Sequence, residues 1–151
     1  MRVPTDLEIL STVYRIYHSD FVSFERGEGA RTSKIYVPID CKKVAQELKV
    51  DSDIVFGRLY YHFEKQYGYK QDDGSNVHFF ALKVGNDPKC VNFPLMTSVL
   101  ADLHYENRKF RIGTAIAVLA LVVSISSFAI SVTQWVSSIR TSHSTDEVVT
   151  D

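Results

Sequence analysis

The sequence predicts an α+β protein in which a small soluble domain of helices and strands is followed by a long helix that crosses a membrane. Apolar residues at helical spacing in the N-terminal half predict the helices, and β-prone runs on either side of a polar turn at 72–76 predict the strands. Residues 112–139 contain no charged side chain, which predicts the membrane helix. A chain of 151 residues has room for one modest domain and such an anchor.

The first helix is predicted to begin at Thr5. Thr5 and Glu8 form a Thr-x-x-Glu pattern, in which the hydroxyl and the carboxylate can each accept a hydrogen bond from an exposed backbone amide. Apolar side chains then recur at helical spacing, at Leu7, Leu10, Tyr14, Tyr17 and Phe21. Residues 25–34 are charged, include two glycines and lack apolar periodicity, so we expect an exposed loop there.

A short strand, two helices and a hairpin are predicted next. Residues 35–39 are β-prone, and Asp40 can cap the helix that follows them. A tight break at 49–52 separates this helix from a third one over about 53–67. Beyond Gly68, two β-prone runs flank the turn-rich segment 72–76, which predicts a β-hairpin.

This order of elements resembles the winged helix-turn-helix fold over about residues 5–85. The helical pair corresponds to IDCKKVAQELKVDSDIVFGRLYYHF and the wing to KQDDGSN, with Ala45 at a small position of the second helix and Val50 in the turn. In winged-helix proteins, the exposed face of the third helix enters the major groove of DNA. The resemblance therefore implies that this face binds a partner.

The third predicted helix has two distinct faces. One face is apolar and is predicted to lie in the core: Phe56, Leu59, Tyr60, Phe63 and Tyr67. The opposite face carries the candidate partner-binding residues, whether the partner is protein or DNA: Arg58, Tyr61, His62 and Lys65. We expect these four side chains to face solvent and to be dispensable for folding.

The charge near this face argues against strong DNA binding. Asp51, Asp53 and Glu64 lie on or beside the same helix, and the predicted wing tip carries Asp72 and Asp73, where a phosphate-contacting wing usually carries Lys or Arg. Across the chain, 17 Lys and Arg nearly balance 18 Asp and Glu. Because nonspecific DNA affinity comes from neutralising phosphates, we expect weak DNA binding at most and favour a cytoplasmic protein as the partner.

The sequence shows no pattern of catalytic or metal-binding residues. The histidines fall on separate predicted elements, and neither Cys41 nor Cys90 has a second ligand at metal-binding spacing. Segment 72–76 lacks the alternating oxygen ligands and the distal Glu of a calcium loop. We therefore expect a non-enzymatic protein with reduced thiols, no catalytic residue, no metal and no cofactor.

Residues 112–139 are long enough to cross a bilayer, whose hydrocarbon core of about 30 Å needs about 20 helical residues. Pro94 suits the first turn of a helix, so a stalk helix over 91–111 is predicted to run into the span. The soluble domain would then occupy 1–90, with a hinge at 85–89. A short polar tail, 140–151, follows the span.

Basic residues predict the orientation of the span. Arg108, Lys109 and Arg111 precede it, whereas Arg140 alone follows it. Because basic flanks stay on the cytoplasmic side, we expect a cytoplasmic N-terminal domain, in a bacterial inner membrane, with Trp135 at the outer interface.

Small residues recur along the span with spacings of three and four, at Gly113, Ala117, Ala120, Ser124, Ser127 and Ser131. Small residues let two membrane helices approach closely, so this oligomer seam predicts a homo-oligomer. The same register extends back through Phe110, Leu103, Val99 and Met96, with a break at Glu106, which predicts a parallel coiled coil of stalk and span. The alternative is that small residues are frequent enough here for such a register to arise by chance.

These features predict a membrane-anchored interaction or regulatory protein, whose partners are the lipid bilayer, further copies of itself and a cytoplasmic protein. The first alternative is a membrane-bound DNA-binding transcription regulator, although proteins of that class typically end in a folded external sensor. The second alternative is a small membrane-active oligomerising effector. A span with no charged residue to line a conducting path disfavours the effector.

Overall fold

The computed structural model describes residues 3–24 and 31–146, and their side chains except those of 129, 130, 133 and 136–146. The predicted loop at 25–34 is therefore described only from Arg31, and residues 147–151 of the predicted tail lie outside the described residues. The protein is of mixed helix and strand, and it ends in a long C-terminal helix. It divides into two compact units, Met1–Tyr105 and Glu106–Asp151.

Helix α1, Asp6–Val22, begins where the capping pattern predicts. The backbone amide of Glu8 donates to Thr5 Oγ1 over 3.3 Å, and the amide of Thr5 donates to the Glu8 carboxylate over 2.8 Å. Its inner face buries Ile9, Leu10 and Val13, which joins α1 to the core.

Strand β1, Tyr36–Pro38, leads to helix α2, Cys41–Leu48, where Asp40 Oδ1 accepts from the amide of Lys42 over 2.8 Å. The predicted break follows, with Lys49 in the left-handed region at φ 55°. Helix α3 then runs from Ser52 to Tyr67; it is α-helical over Ser52–Gly57, π-helical over Arg58–Phe63 and α-helical again over Glu64–Tyr67.

The strand region differs from the prediction, because it forms two hairpins and not one. Strands β2, Tyr69–Lys70, and β3, Asn76–Val77, pair around the predicted polar turn. Strands β4, Phe80–Val84, and β5, Asp87–Asn92, form a second antiparallel hairpin. Strand β1 pairs with β5, which gives a sheet of order β1-β5-β4.

The predicted hinge at 85–89 is wrong, since these residues form the turn and the first half of β5. Gly85 and Asn86 make a two-residue turn, in which Gly85 takes φ 59° without steric cost. Pro88 is tolerated because β1 reaches only Cys90, Val91 and Asn92, so Pro88 has a neighbouring strand on one side alone.

The core lies between the helices and the three-stranded sheet. The predicted core face of α3 is confirmed, because Leu59 and Phe63 are fully buried while Phe56, Tyr60 and Tyr67 are half-buried against them. The C-terminal helix also contributes its first turns to this core, through Phe93, Met96, Val99 and Leu100.

Helix α4, Phe93–Asp146, has Pro94 in its first turn, as predicted. The proposed extension of the seam back to Val99 and Met96 is wrong, because both side chains are buried in the core of their own chain and cannot contact a second helix. Within the described residues, the part of α4 up to Phe128 is long and apolar enough to cross a membrane. None of its most apolar stretch is buried inside the protein, as it would be in the core helix of a soluble domain.

Candidate interaction surface

The four candidate residues of α3 lie together on its outer face. Arg58, Tyr61 and Lys65 are exposed, Tyr61 to 70% of its surface, and His62 is half-buried. The expectation that this face turns away from the core is therefore confirmed, with His62 the most covered of the four.

Asp6 contacts two of the four side chains on this face, Arg58 and His62. Its Oδ1 accepts from Arg58 Nε over 2.6 Å, and its Oδ2 lies 3.4 Å from His62 Nε2. Asp6 stands in the first turn of α1, and its side chain reaches α3, where the carboxylate lies between these two side chains. Two groups that could contact phosphates are thereby engaged within the chain.

A groove of about 740 Å³ runs between α3 and strand β4. Tyr61 and Lys65 form part of its helical wall, while Leu82, which is 50% exposed, and Lys83 stand on the strand. The remaining lining residues are Tyr60, Glu64, His78, Phe80 and Ala81.

Aromatic packing holds the base of the groove. The ring of Tyr60 packs against Phe56, with centroids 5.5 Å apart, and against the edge of Tyr61 at 5.0 Å. Tyr60 also meets Phe80 of β4 edge-on at 6.4 Å. Offset and edge-on aromatic contacts are favourable and directional, so they fix α3 and β4 relative to each other.

Glu64 closes one end of the groove. Its Oε1 lies 2.6 Å from His78 Nδ1, and its Oε2 accepts from the amide of Phe80 over 2.8 Å. These contacts tie α3 to the beginning of β4 and satisfy the carboxylate within the chain. The acidic charge of Glu64 is therefore engaged at the groove.

The two lysines of the groove are not engaged in this way. Within the described ranges, no carboxylate lies within ion-pairing distance of Lys65 or Lys83. The groove consequently combines exposed apolar groups with a net positive charge.

The cysteines offer no reactive site. Cys41 and Cys90 are both free and buried. Burial raises the pKa of the Cys41 thiol, and burial together with nearby Asp87 raises the pKa of Cys90 to about 11. Because the thiolate is the nucleophile and the metal ligand, both side chains stay protonated and inert at neutral pH. Among the described residues, no cluster of His, Cys, Asp and Glu could hold a metal ion.

The predicted seam residues Gly113, Ala117, Ala120, Ser124, Ser127 and Ser131 are all exposed on α4. The hydroxyls of Ser124, Ser127 and Ser131 each donate to the carbonyl four residues earlier, at 2.8, 2.9 and 3.0 Å. The seam serines thus have an acceptor within their own helix, so their hydroxyls need no partner from a second chain.

Three residues of this surface were not predicted from the sequence: Asp6, Leu82 and Lys83. Asp6 has the ordinary features of an acidic residue in a first helical turn, and nothing local reveals its contact with α3. Leu82 lies in an apolar run, so only the tertiary structure shows that it is exposed.

Comparisons of the chain with protein-family models, with curated proteins and with solved structures find no match. Its function is therefore inferred from its own residues.

Proposed function

We propose that this chain is a single-pass membrane protein that presents a winged-helix module to a cytoplasmic protein, as a non-enzymatic interaction or regulatory factor. The element order supports the winged helix: α1, β1, the α2–α3 pair and a β-hairpin whose second strand pairs with β1. In this arrangement the β4–β5 hairpin is the wing, in place of the KQDDGSN segment predicted from the sequence. The β2–β3 hairpin, which carries Asp72 and Asp73 at its turn, is an insertion before it.

The exposed apolar surface of α4 supports the membrane anchor. Ile116 and Leu119 are 63% and 64% exposed, and their apolar neighbours along the helix are exposed to similar extents. A continuous apolar surface of this kind is unfavourable in water and favourable in lipid. The basic residues Arg108, Lys109 and Arg111 before the span support a cytoplasmic position for the soluble unit in a bacterial inner membrane.

The contact of Asp6 with Arg58 and His62 is the observation that carries the choice of a protein partner over DNA. A DNA-reading face needs free cations for phosphates, and here an intrachain carboxylate occupies two of the four candidate side chains. Tyr61, in contrast, is a large exposed aromatic residue of the type enriched at protein interfaces. A membrane-bound transcription regulator is the competing function.

Site-specific photocrosslinking in native membranes tests this proposal. A photoreactive phenylalanine analogue replaces Tyr61 in the full chain, and the matched control carries it at Tyr105, whose exposure of 69% nearly equals the 70% of Tyr61. We expect the Tyr61 position to capture a cytoplasmic protein that the Tyr105 position does not.

Two results would contradict this expectation. Capture of DNA without protein at Tyr61 would favour the transcription regulator. Equal capture at both positions would show that the outer face of α3 is not a specific interface.

A further inference from the structure

We infer that the groove between α3 and β4 binds an extended acidic segment of the partner protein, which lies alongside β4 as an added strand. This inference rests on the proposed function, because it specifies the chemistry of the protein partner. It follows from an open strand edge, a pair of unengaged lysines and exposed apolar side chains at one place on the molecule.

Strand β4 lies at the edge of its sheet. In the order β1-β5-β4, only β5 pairs with it, and within the described residues no strand occupies its other side. The amide of Phe80 points to that open side, where it donates to Glu64. Because amides alternate along a strand, that of Leu82 points the same way and is available to an incoming strand, whereas that of Val84 is engaged by the buried Cys90 thiol of β5.

The charge of the groove selects an acidic occupant. Lys65 on the helix and Lys83 on the strand have no carboxylate partner within the described residues, while Glu64 is engaged by His78 and the Phe80 amide. A segment carrying Asp or Glu would neutralise both lysines. A basic segment would be repelled from the same groove, since like charges at an interface oppose binding.

The exposed apolar side chains of the groove predict a second feature of the bound segment. Tyr61 is 70% exposed on the helical wall and Leu82 is 50% exposed on the strand wall. An apolar side chain of the segment can bury both of them at once. We therefore expect at least one apolar residue flanked by acidic residues, over about the five residues of β4.

Peptide selection on the full chain tests the inference. The chain, one copy per phosphatidylcholine nanodisc, is used to select from phage-displayed random eight-residue peptides, and the enriched peptides are measured by fluorescence anisotropy. We expect acidic sequences of the stated pattern to be enriched. A proline at the centre of such a peptide should abolish binding, because it removes a donor that a pairing strand needs.

Charge-reversal variants assign the binding to the groove. Lys65→Glu with Lys83→Glu should weaken the selected peptides at least about tenfold. The matched control is Lys42→Glu with Lys70→Glu, which makes the same change at two exposed lysines outside the groove and should alter affinity less than about twofold.

Several results would overturn the inference. In the selection, these results are the enrichment of neutral or basic peptides and the absence of any enrichment. In the binding measurements, they are an equal loss of peptide affinity in the two double variants, and a groove that is occupied instead by duplex DNA, by phosphatidylglycerol vesicles or by a second copy of the chain. If crosslinking at Tyr61 captures a protein but acidic peptides do not bind, the proposed function stands and the chemistry assigned to the groove fails. If acidic peptides bind but crosslinking captures no protein, the groove chemistry stands and the proposed function fails.

Discussion

The carboxylate of Asp6 contacts two side chains of α3, and it also lies at the N-terminal end of α1. A negative charge in the first turn of a helix is favourable because unpaired amides and the helix dipole are positive there. The ion pair with Arg58 adds to this, although Arg58 is 42% exposed, so solvent screens part of the attraction. Together these effects are worth about 1 kcal/mol.

We predict that Asp6→Asn lowers the free energy of unfolding by about 1 kcal/mol, and that Arg58→Gln in the same chain adds little further loss. Denaturant unfolding of the full chain in detergent micelles, followed by circular dichroism, measures this double-mutant cycle. Asp53→Asn is the control, because Asp53 lies in the first turn of α3 as Asp6 does in α1 and forms no ion pair with a described residue. If Asp6→Asn and Asp53→Asn lower the free energy of unfolding equally, or if the losses of Asp6→Asn and Arg58→Gln add up in the double variant, the Asp6–Arg58 ion pair does not contribute to stability.

The same contact revises the expectation that Arg58, Tyr61, His62 and Lys65 are dispensable for folding. Replacing all four by Ala removes both partners of Asp6. We therefore expect this variant to fold and to lose about 1 kcal/mol, through the lost contacts of Asp6 and the lost edge-on contact of Tyr61 with Tyr60.

The buried thiol of Cys90 makes the stability of the protein decrease with pH in the alkaline range. Burial raises the pKa of its thiol from 9.0 to about 11. The folded state therefore holds this proton more tightly than the unfolded chain does. The resulting stabilisation is complete below pH 9 and is lost as the pH rises through 11.

We predict that the thermal midpoint of the wild-type chain falls more steeply between pH 9 and 11 than that of Cys90→Ala. Burial also raises the pKa of Cys41 and Tyr17, so the variant should retain a smaller slope of the same sign. Thermal unfolding in micelles at a series of pH values measures both slopes. Parallel curves for the two proteins would contradict the assignment to Cys90.

The elements of the fold differ in how far the sequence predicts them. The helices were predictable because their starts depend on local chemistry: Thr5 with Glu8 for α1 and Asp40 for α2. The β4–β5 hairpin was missed because Pro88 resembles a strand breaker, and only the short reach of β1 makes it acceptable. The Gly-Asn pair at 85–86 was the available signal, since this dipeptide is typical of two-residue hairpin turns.

The seam on α4 remains a prediction, and its internal hydrogen bonds change the reason for expecting it. Because the serine hydroxyls are satisfied within the helix, close packing of small side chains is left as the main attraction between two copies. We predict that Ala120→Ile with Ser124→Ile weakens self-association. Bulky side chains at these positions would hold the two backbones apart.

The span supplies a matched control for this variant. Ala115→Ile with Ser126→Ile makes the same two replacements about 150° around the helix, and Ser126 loses the same type of bond, to Val122 O at 2.9 Å. Both variants become more apolar, so both should insert. Crosslinking at equal expression compares them. If the two double variants associate equally, or the wild-type chain is monomeric, the small residues reflect composition only.

At the scale of the whole molecule, the sequence locates the candidate membrane helix more fully than the candidate interaction surface. The absence of charge over 112–139 can be recognised in the sequence alone. In the structure, the rest of the described chain does not cover the most apolar stretch of the helix. The surface depends on residues distant in sequence, as Asp6 and Arg58 are separated by 52 positions. The exposure of one face of α3 could therefore be predicted, whereas its partial neutralisation and the groove beside it could not.

The orientation of the molecule in the membrane is the property on which the cytoplasmic partner depends. We predict that alkaline phosphatase, which is active only outside the cytoplasm, is active when fused after Asp151. Replacing Arg108, Lys109 and Arg111 by Gln, together with Ser142→Lys, Ser144→Lys and Thr145→Lys, should invert the chain and inactivate the fusion, because basic residues set the orientation. Asp102→Gln with Glu106→Gln is the control and should leave the enzyme active, since acidic residues contribute little to orientation. An inactive fusion on the wild-type chain would place the α3 face and its groove outside the cytoplasm, and the partner would then have to be sought there.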